Sequence, residues 1–284
     1  MSVSWTAMRG WIVCLAGVSL IWVVAGAFHA MSSITPAVEA AAEDEAESSP
    51  RPVLVELFTS EGCSNCPTAD RFLVQLHRTQ PVPGVKIIAL GEHVDYWNRR
   101  GWADPFSSSA LSARQHDYAG AFGNDGVYTP QMIVDGQQEF VGSDHARAFE
   151  AIRNSARAPK AIVHIGRDAA SDKSNAQSVT LHVRAEGLER TGNREGADVW
   201  LAITEDDLES NVVRGGNAGR RLQHVAVVRQ MQIIGKVEPV PAGTYSSDPM
   251  VTLRSEWNGG KLNAVVFIQE RRTKRILGAA ALPL

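Results

Sequence analysis

The sequence predicts an α/β domain followed by an all-β, sandwich-like domain. Between residues 52 and 90, a β-branched apolar run, a helical pattern and a second β-branched run follow one another, which is the order of a parallel βαβ unit. From about residue 158, the helical pattern stops and short β-branched runs alternate with turn residues. This change places the boundary between a domain at 52–157 and a domain at 158–284.

The first forty residues differ from the rest and resemble a targeting segment. Arg9 precedes an uncharged apolar run at residues 11–28, and small residues follow, as in a secretory signal. The run is also long enough to span a bilayer, so residues 1–40 are either a signal peptide or an N-terminal anchor. Cys14 lies inside the run and counts as one of its apolar residues. We therefore expect an exported protein, periplasmic or extracellular, with residues 41–51 as a disordered acidic linker.

The α/β part begins with a strand at 52–58, whose single charge is Glu56. A helix at about 65–77 follows, because apolar side chains recur there at helical spacing. Pro67 fits the first turn of this helix, where a missing N–H costs nothing. Residues 84–90 predict the second strand, parallel to the first.

Residues 91–126 form a long insertion that is dense in aromatic side chains and contains a helical stretch. A hairpin with its turn at Asp135-Gly136 follows, since Asp-Gly is a strong turn signal, and residues 143–156 predict a further helix. Beyond them, seven β-branched runs predict the strands of the second domain: AIVHIG, SVTLHVRAE, ADVWLAIT, QHVAVVRQM, MVTLRS, LNAVVFIQE and RILGAAAL.

Two of the three cysteines, Cys63 and Cys66, lie between the first strand and its helix. With Cys14 set aside, they can only pair with each other, and export favours a disulfide over a zinc site. At a helix start, free N–H groups and the helix dipole stabilise a thiolate on the first cysteine. One helical turn brings the second thiol within reach of a mixed disulfide. The motif therefore predicts a redox pair in which Cys63 is the exposed nucleophile and Cys66 is the resolving thiol.

Thr129-Pro130 lies just before the first strand of the hairpin, where a thioredoxin fold places its cis-proline loop. In that position Pro130 shapes a substrate-facing loop, and backbone groups of the loop lie against the disulfide. The order of elements, from strand and CxxC motif to Thr-Pro, hairpin and helix, is the thioredoxin order.

Five segments carry a resemblance to a known family: VELFTSEGCSNCPTAD, HVDYWNRRGWADPFSS, YTPQMIVDG, NAGRRLQHVAVVR and FIQERRTKRILGAA. They resemble a bacterial family of exported thioredoxin-like proteins of unknown function, over nearly all of the chain from about residue 52. The resemblance implies a thioredoxin-like domain with a β extension, and no particular substrate. Gly62 stands where thioredoxin has a tryptophan, and Ser64-Asn65 replaces its Gly-Pro dipeptide. The sequence therefore does not distinguish an oxidant from a reductant.

Glu56 resembles the buried acid that thioredoxins carry beneath the resolving cysteine, although it lies one position further from the first cysteine. A carboxylate buried in this strand would have a raised pKa and could act as general base toward Cys66. The alternative is that Glu56 faces a sheet edge or an arginine and only solvates the strand.

The stretch HVDYWNRRGW follows the second strand and contains further candidates. Trp97 and neighbouring aromatic residues are candidates for a groove that receives a peptide or a protein thiol, with His93 and Asp95 as polar contacts. Alternatively, the tryptophans fill the core beneath the insertion, and His93 bonds a backbone group.

A later segment is rich in arginines. They are candidates for contact with an acidic partner or with the α/β domain. Alternatively, they cover a solvated strand face. The arginines are Arg214, Arg220, Arg221 and Arg229.

Two other functions stay open. Cys63, Cys66 and His93, with Asp95, form a candidate copper or zinc site, because thiolate and imidazole suit these metals. Alternatively, the disulfide is structural and the protein binds a partner through its β domain, although so small a loop removes little entropy from the unfolded chain.

The main expectation is an exported thiol–disulfide oxidoreductase that acts on a protein or a small-molecule thiol. It requires no organic cofactor and no metal. The net charge of −3 gives no support to nucleic acid as a partner.

Overall fold

In the computed structural model of the protein, an eight-stranded sheet organises the chain. The structure describes residues 49–168, 178–191, 196–239 and 243–284. The predicted signal or anchor, Cys14 and most of the predicted acidic linker lie outside the described residues. Among the helices that the structure does describe, none is long and apolar enough to cross a membrane.

The described residues form three α-helices and fourteen strands. The helices are α1 (Cys66–Thr79), α2 (Ser109–Phe122) and α3 (His145–Ser155). The strands are β1 (Arg51–Thr59), β2 (Val85–His93), β3 (Gln131–Val134), β4 (Gln138–Val141), β5 (Ile162–Arg167), β6 (Ser178–Glu186), β7 (Ala197–Glu205), β8 (Leu208–Asn211), β9 (Arg221–His224), β10 (Val227–Val237), β11 (Thr244–Ser247), β12 (Met250–Thr252), β13 (Leu262–Glu270) and β14 (Ile276–Pro283).

Several local elements agree with the sequence prediction. β1, α1 and β2 form the predicted strand–helix–strand unit, and β1 pairs with β2 in parallel over its whole length. The β3–β4 hairpin turns at Asp135-Gly136, where both residues have positive φ, as the favoured two-residue hairpin turn requires. α2 lies within the predicted insertion, and α3 lies within the predicted helix at 143–156.

The predicted fold class is wrong. Four strands downstream of residue 158 extend the same sheet as β1–β4, in the order β14-β13-β7-β10-β2-β1-β3-β4. The structure is therefore mostly β, with one large mixed sheet, and is not an α/β thioredoxin-like domain followed by an all-β sandwich-like domain. A β-branched run identifies a strand but not its partner, and here the edge of β2 is covered by β10, parallel at Val227↔Gly91. Pro50–Leu284 accordingly forms one compact unit.

Two smaller sheets complete the fold. One has the order β11-β6-β12, with β5 also paired to β6, and its apolar face packs against β7 and β13 of the large sheet. The other is the hairpin β8–β9, whose second strand contacts α1. The downstream half of the chain thus reaches the helix that carries Cys66.

The two faces of β1 are covered by different helices. Val53, Val55 and Leu57 pack with apolar residues of α1 and α3, whereas Leu54 packs on the opposite face together with Leu111 of α2. Successive side chains of a strand point to opposite faces of the sheet. Glu56 therefore lies on the α2 face, away from α1.

Candidate functional site

Cys63 and Cys66 form a disulfide at the junction of β1 and α1, with their Cα atoms 5.4 Å apart. Cys66 is the first residue of α1, and Pro67 follows it in the first turn, as predicted. The predicted pairing of the two cysteines is confirmed.

The start of α1 leaves its positive end uncompensated. Asn65, the N-cap residue, makes no side-chain capping hydrogen bond, and the first turn contains no acidic residue. The N–H of Cys66 bonds the carbonyl oxygen of Cys63 and Pro67 has no N–H, so the helix dipole is what remains at this end to stabilise an anion. In the reduced protein, a thiolate beside this end is stabilised for the same reason.

Both sulfur-bearing residues are buried. Cys63 is 1% exposed and Cys66 is 0% exposed, whereas Ser64 and Asn65 between them are exposed. The expectation that Cys63 is an exposed nucleophile is therefore wrong for the disulfide form. The sequence does not reveal this burial, because the covering residues lie far downstream.

The loop at 212–220, which joins β8 to β9, packs against the CxxC loop. Nδ2 of Asn217 donates hydrogen bonds to the carbonyl oxygens of Glu61, at 2.8 Å, and Cys63, at 2.9 Å. Gly216 lies so close to the CxxC loop that a Cβ on it would be 3.3 Å from Cβ of Ser64. We call residues 212–220 the covering loop.

Trp97 and Thr129, both predicted site residues, meet beside the CxxC loop. Nε1 of Trp97 donates to Oγ1 of Thr129 at 2.8 Å. A Cβ on Gly62 would lie 3.1 Å from Cβ of Trp97, so the tight contact explains why glycine precedes Cys63. The Thr129-Pro130 peptide bond is cis, and the carbonyl oxygen of Pro130 accepts from the N–H of Gly142.

An open groove of about 990 Å³ runs beside the CxxC loop, where Ser64 and Asn65 line it and neither cysteine does. It lies between the start of α1, the Thr129-Pro130 turn, the end of β4 and the start of β9. Its lining residues are Ser64, Asn65, Pro67, Thr68, Arg71, Tyr128, Thr129, Pro130, Val141, Ser143, Arg220, Arg221 and Leu222. We call this surface the CxxC groove.

Three residues that were predicted to contact substrate, His93, Asp95 and Trp97, are not among the residues that line the CxxC groove. His93 is 1% exposed, and its Nδ1 lies 2.7 Å from Oδ2 of Asp104. Burial by itself lowers the pKa of His93, but the charge and hydrogen bond of Asp104 outweigh it and raise the pKa above its ordinary value. Asp95 is half-buried and accepts from Oγ of Ser112 at 2.6 Å.

Glu56 does not lie beneath Cys66. Its Oε1 accepts from Nε and Nη2 of Arg114, at 2.8 and 2.5 Å, and its Oε2 accepts from the hydroxyl of Tyr118 at 2.5 Å. Both partners belong to α2, on the sheet face opposite α1. The alternative in which Glu56 faces an arginine is the arrangement in the structure, and the reason is the strand alternation described above.

A second acid, Asp70, does lie on the cysteine side of the sheet, and the sequence analysis missed it. Asp70 is 6% exposed and follows Cys66 by four residues, so the two share a face of α1. Its Oδ1 accepts from Oγ1 of Thr59 at 2.6 Å, while its Oδ2 has no hydrogen-bond partner among the described residues. Burial raises the pKa of Asp70, although His224, Thr59 and His93 partly oppose this.

Further buried polar residues hold the loop that leads to Cys63. Oε1 of Glu61 lies 3.0 Å from Nε2 of His224, and Oε2 accepts from Nε1 of Trp102 at 2.7 Å. The backbone N–H of Glu61 donates to Asp104, which also pairs with His93.

The position of Asp70, one helical turn after Cys66, was a signal available in the sequence. The partners of Glu61 were not, because they come from distant segments.

The metal alternative finds no assembled ligand set in the part of the chain that the structure describes. No group of three or more His, Cys, Asp or Glu side chains there is arranged to hold an ion. The two sulfur atoms are joined to each other, and His93 is paired with Asp104.

Comparison with known proteins gives a family and two related structures. Residues 54–269 match a family model described as a protein of unknown function (DUF1223). A protein of Agrobacterium tumefaciens, known from an X-ray crystal structure, shares 25% identity; the match covers 81% of this chain and 93% of that one, with a TM-score of 0.58. HBP35 of Porphyromonas gingivalis shares the fold at 12% identity, with 84% and 76% covered and a TM-score of 0.61. No curated protein matches the chain.

The predicted resemblance to a family of unknown function is thus confirmed at that level. The thioredoxin-like domain that the resemblance implied is not the fold of the structure, and export stays a prediction. The family model spans well over half of the chain, including the CxxC loop and the covering loop. The chain belongs to the DUF1223 family of proteins of unknown function.

Proposed function

We propose that this protein is a thiol–disulfide oxidoreductase whose reacting pair is Cys63 and Cys66. The observation that carries the proposal is the position of the disulfide, at the uncapped start of α1 and beside the open CxxC groove. The positive end of a helix dipole stabilises a neighbouring thiolate, which is the reactive form of a cysteine. The groove gives a partner a place to lie next to it.

The exchange takes place in two balanced steps. In the reduced protein, the Cys63 thiolate attacks a partner disulfide, forms a Cys63–partner mixed disulfide and releases one partner thiolate. The Cys66 thiolate then attacks the sulfur of Cys63, which forms the Cys63–Cys66 disulfide and releases the second partner thiolate. The partner disulfide gains two electrons and the protein dithiol loses two. The same steps in reverse oxidise a partner dithiol.

The surrounding residues have separate roles in this proposal. Thr129 and Pro130 form the wall of the CxxC groove opposite the start of α1, and Trp97 holds Thr129 through its indole N–H. Because both cysteines are buried and Asn217 bonds the carbonyl oxygen of Cys63, the proposed exchange requires the covering loop to move before a partner reaches the disulfide.

We assign to Asp70 the role of accepting the proton from the Cys66 thiol. It shares the helix face of Cys66 and is buried, and its Oδ2 has no hydrogen-bond partner among the described residues. It also lines a small cavity of about 140 Å³ between α1 and β9, through which a proton can pass to solvent. A carboxyl with a raised pKa accepts a thiol proton more readily than an ordinary one.

The variant Asp70→Asn is expected to react more slowly and to be more stable. Without the proton acceptor, we expect release of the mixed disulfide to slow by about 10²-fold near neutral pH. Because the folded pKa of Asp70 is raised, the buried carboxyl favours folding when protonated, and this contribution is lost as pH rises through the folded pKa. The variant should therefore gain about 1 kcal/mol in free energy of unfolding at neutral pH, and nothing at acid pH.

Stopped-flow exchange kinetics and urea unfolding at several pH values measure both effects. The control is Asp117→Asn, which changes an exposed acid on α2. A change in stability with an unchanged rate of release would limit Asp70 to a structural role.

The proposal also includes the compartment and the partner. The apolar run at 11–28 supports export to an oxidising compartment, periplasmic or extracellular, where a Cys63–Cys66 disulfide persists. The partner is a protein or a small molecule that carries a thiol or a disulfide.

A second candidate function is binding, with a structural disulfide, and the burial of both cysteines favours it. The reduction potential in glutathione buffers and the pKa of Cys63, from alkylation rates across pH, decide between the two. An exchange couple predicts a potential between about −120 and −270 mV and a Cys63 pKa well below about 8.5. A potential below about −300 mV with an ordinary pKa would refute the proposal and support the structural disulfide.

A further inference from the structure

The CxxC groove carries an excess of positive charge. Three arginines line the groove: Arg71 of α1, Arg220 at the end of the covering loop and Arg221 at the start of β9. None of its lining residues is acidic. This local excess contrasts with the whole chain, whose net charge is −3.

Two of these arginines have only neutral hydrogen-bond partners among the described residues. Nη2 of Arg71 donates to Oγ1 of Thr68 at 3.3 Å, and Nη1 of Arg220 donates to Oδ1 of Asn217 at 3.1 Å. Arg221 is different, because it forms an ion pair with Glu209. Arg71 and Arg220 are exposed and therefore available to a ligand.

The two arginines belong to the segments that carry or contact the cysteines. Arg71 follows Cys66 by five residues on α1. Arg220 bonds Asn217, whose amide in turn bonds the carbonyl oxygen of Cys63. A ligand that reaches the cysteines through the CxxC groove therefore passes these two charges.

We infer that the redox partner carries carboxylates next to its reacting sulfur, and that Arg71 and Arg220 bind them. The inference rests on the proposed function and adds the chemical class of its substrate. The planar fork of an arginine matches a carboxylate with two parallel hydrogen bonds. A cleft lined by one sign of charge also raises the association rate of oppositely charged ligands, by about 10–10³-fold, and salt screens this effect.

The test compares three small disulfides that differ in charge: dianionic 3,3′-dithiodipropionate, neutral 2-hydroxyethyl disulfide and dicationic cystamine. Stopped-flow kinetics give the rate at which the reduced protein is oxidised by each. Each rate is divided by the rate of dithiothreitol with the same disulfide, which removes intrinsic differences in reactivity. We expect the normalised rate to be about tenfold higher for the dianion than for the neutral compound, lowest for the dication, and less different at high salt.

Variants of the arginines test whether the preference for the dianionic disulfide comes from the CxxC groove. The double variant Arg71→Gln with Arg220→Gln should lose the preference for the dianion, whereas Arg153→Gln, an exposed arginine on α3, should retain it. The neutral disulfide is an internal reference, since a variant that only disturbs the covering loop changes all three rates together. Cysteine peptides flanked by glutamate or by glutamine, offered as mixed disulfides, separate a protein partner from a small acidic thiol. A larger gain for the glutamate peptide than for the small dianion indicates a protein segment.

The remaining outcomes distinguish failure of the inference from failure of the proposed function. Equal normalised rates for the three disulfides, or a preference that survives the double variant, would overturn the inference while leaving the proposed exchange activity intact. Failure of the reduced protein to react with any of the three would overturn the proposed function and the inference together.

Discussion

Replacing Cys66 with serine is expected to stop the exchange reaction halfway. Cys63 can still attack a disulfide, but no second thiol is present to resolve the product, so the Cys63–partner mixed disulfide accumulates. With a symmetric disulfide in excess, the reduced parent protein should release two equivalents of thiol, the Cys66→Ser variant one and the Cys63→Ser variant none. Intact-protein mass spectrometry and a thiol assay measure the adduct and the release.

Comparison of the two variants shows which cysteine attacks and which one resolves the mixed disulfide. Serine is close to cysteine in size, and each variant removes one thiol while the other cysteine stays in place. If the Cys63→Ser variant releases one equivalent of thiol and the Cys66→Ser variant releases none, Cys66 is the attacking thiol and the assigned order is wrong. If neither variant and not even the parent releases thiol, the disulfide is structural.

Replacing Arg114 with methionine is expected to cost about 3–5 kcal/mol in free energy of unfolding at neutral pH. Arg114 is 8% exposed and bonds Glu56, Gln269 and Tyr118, and its Nε lies 3.5 Å from Oε1 of Glu92. Without its guanidinium group, two buried carboxyl groups on β1 and β2 face each other with no positive charge between them. Removing one partner of a buried ion pair leaves an uncompensated charge, which explains the size of the loss.

The pH dependence of this loss is a sharper test than its size. Burial raises the pKa of Glu92, and the nearby Glu56 adds to this, while Arg114 opposes it. Without Arg114 the folded variant binds protons more tightly than its unfolded chain does, so its stability should rise as pH falls from about 7 to about 5. Urea unfolding at several pH values measures this. Arg153→Met, an exposed control on α3, should change stability by no more than about 0.5 kcal/mol at any of these pH values. A loss below about 1 kcal/mol for Arg114→Met would contradict the role given to the cluster.

The contrast between β2 and β10 explains why local elements could be predicted and the fold could not. The strand at 84–90, the helix after the cysteines and the Asp135-Gly136 turn each depend on periodicity or on residues that lie next to each other. The pairing of β10 with β2 joins segments on either side of the predicted domain boundary, at Val227 and Gly91. A β-branched run fits many neighbours equally well, so nothing in the local pattern specifies this pairing.

The candidate site divides in the same way. Motif spacing and element order predict that Cys63, Cys66, Thr129 and Pro130 lie together. They do not specify the face of β1 on which Glu56 lies. A strand that is apolar on both faces gives no alternation from which to read that face, and a shift of one position moves the side chain across the sheet. Asn217 could not be found at all, because it acts on Cys63 from 154 residues away.

That separation has a consequence for the time at which the site is completed. During synthesis from the N-terminus, Cys63 and Cys66 are made long before Asn217 and the rest of the covering loop, which lie about 150 residues later. A chain in that interval presents both cysteines without their cover. A disulfide formed in that interval closes without the contact from Asn217, whereas in the completed chain Asn217 bonds the carbonyl oxygen of Cys63.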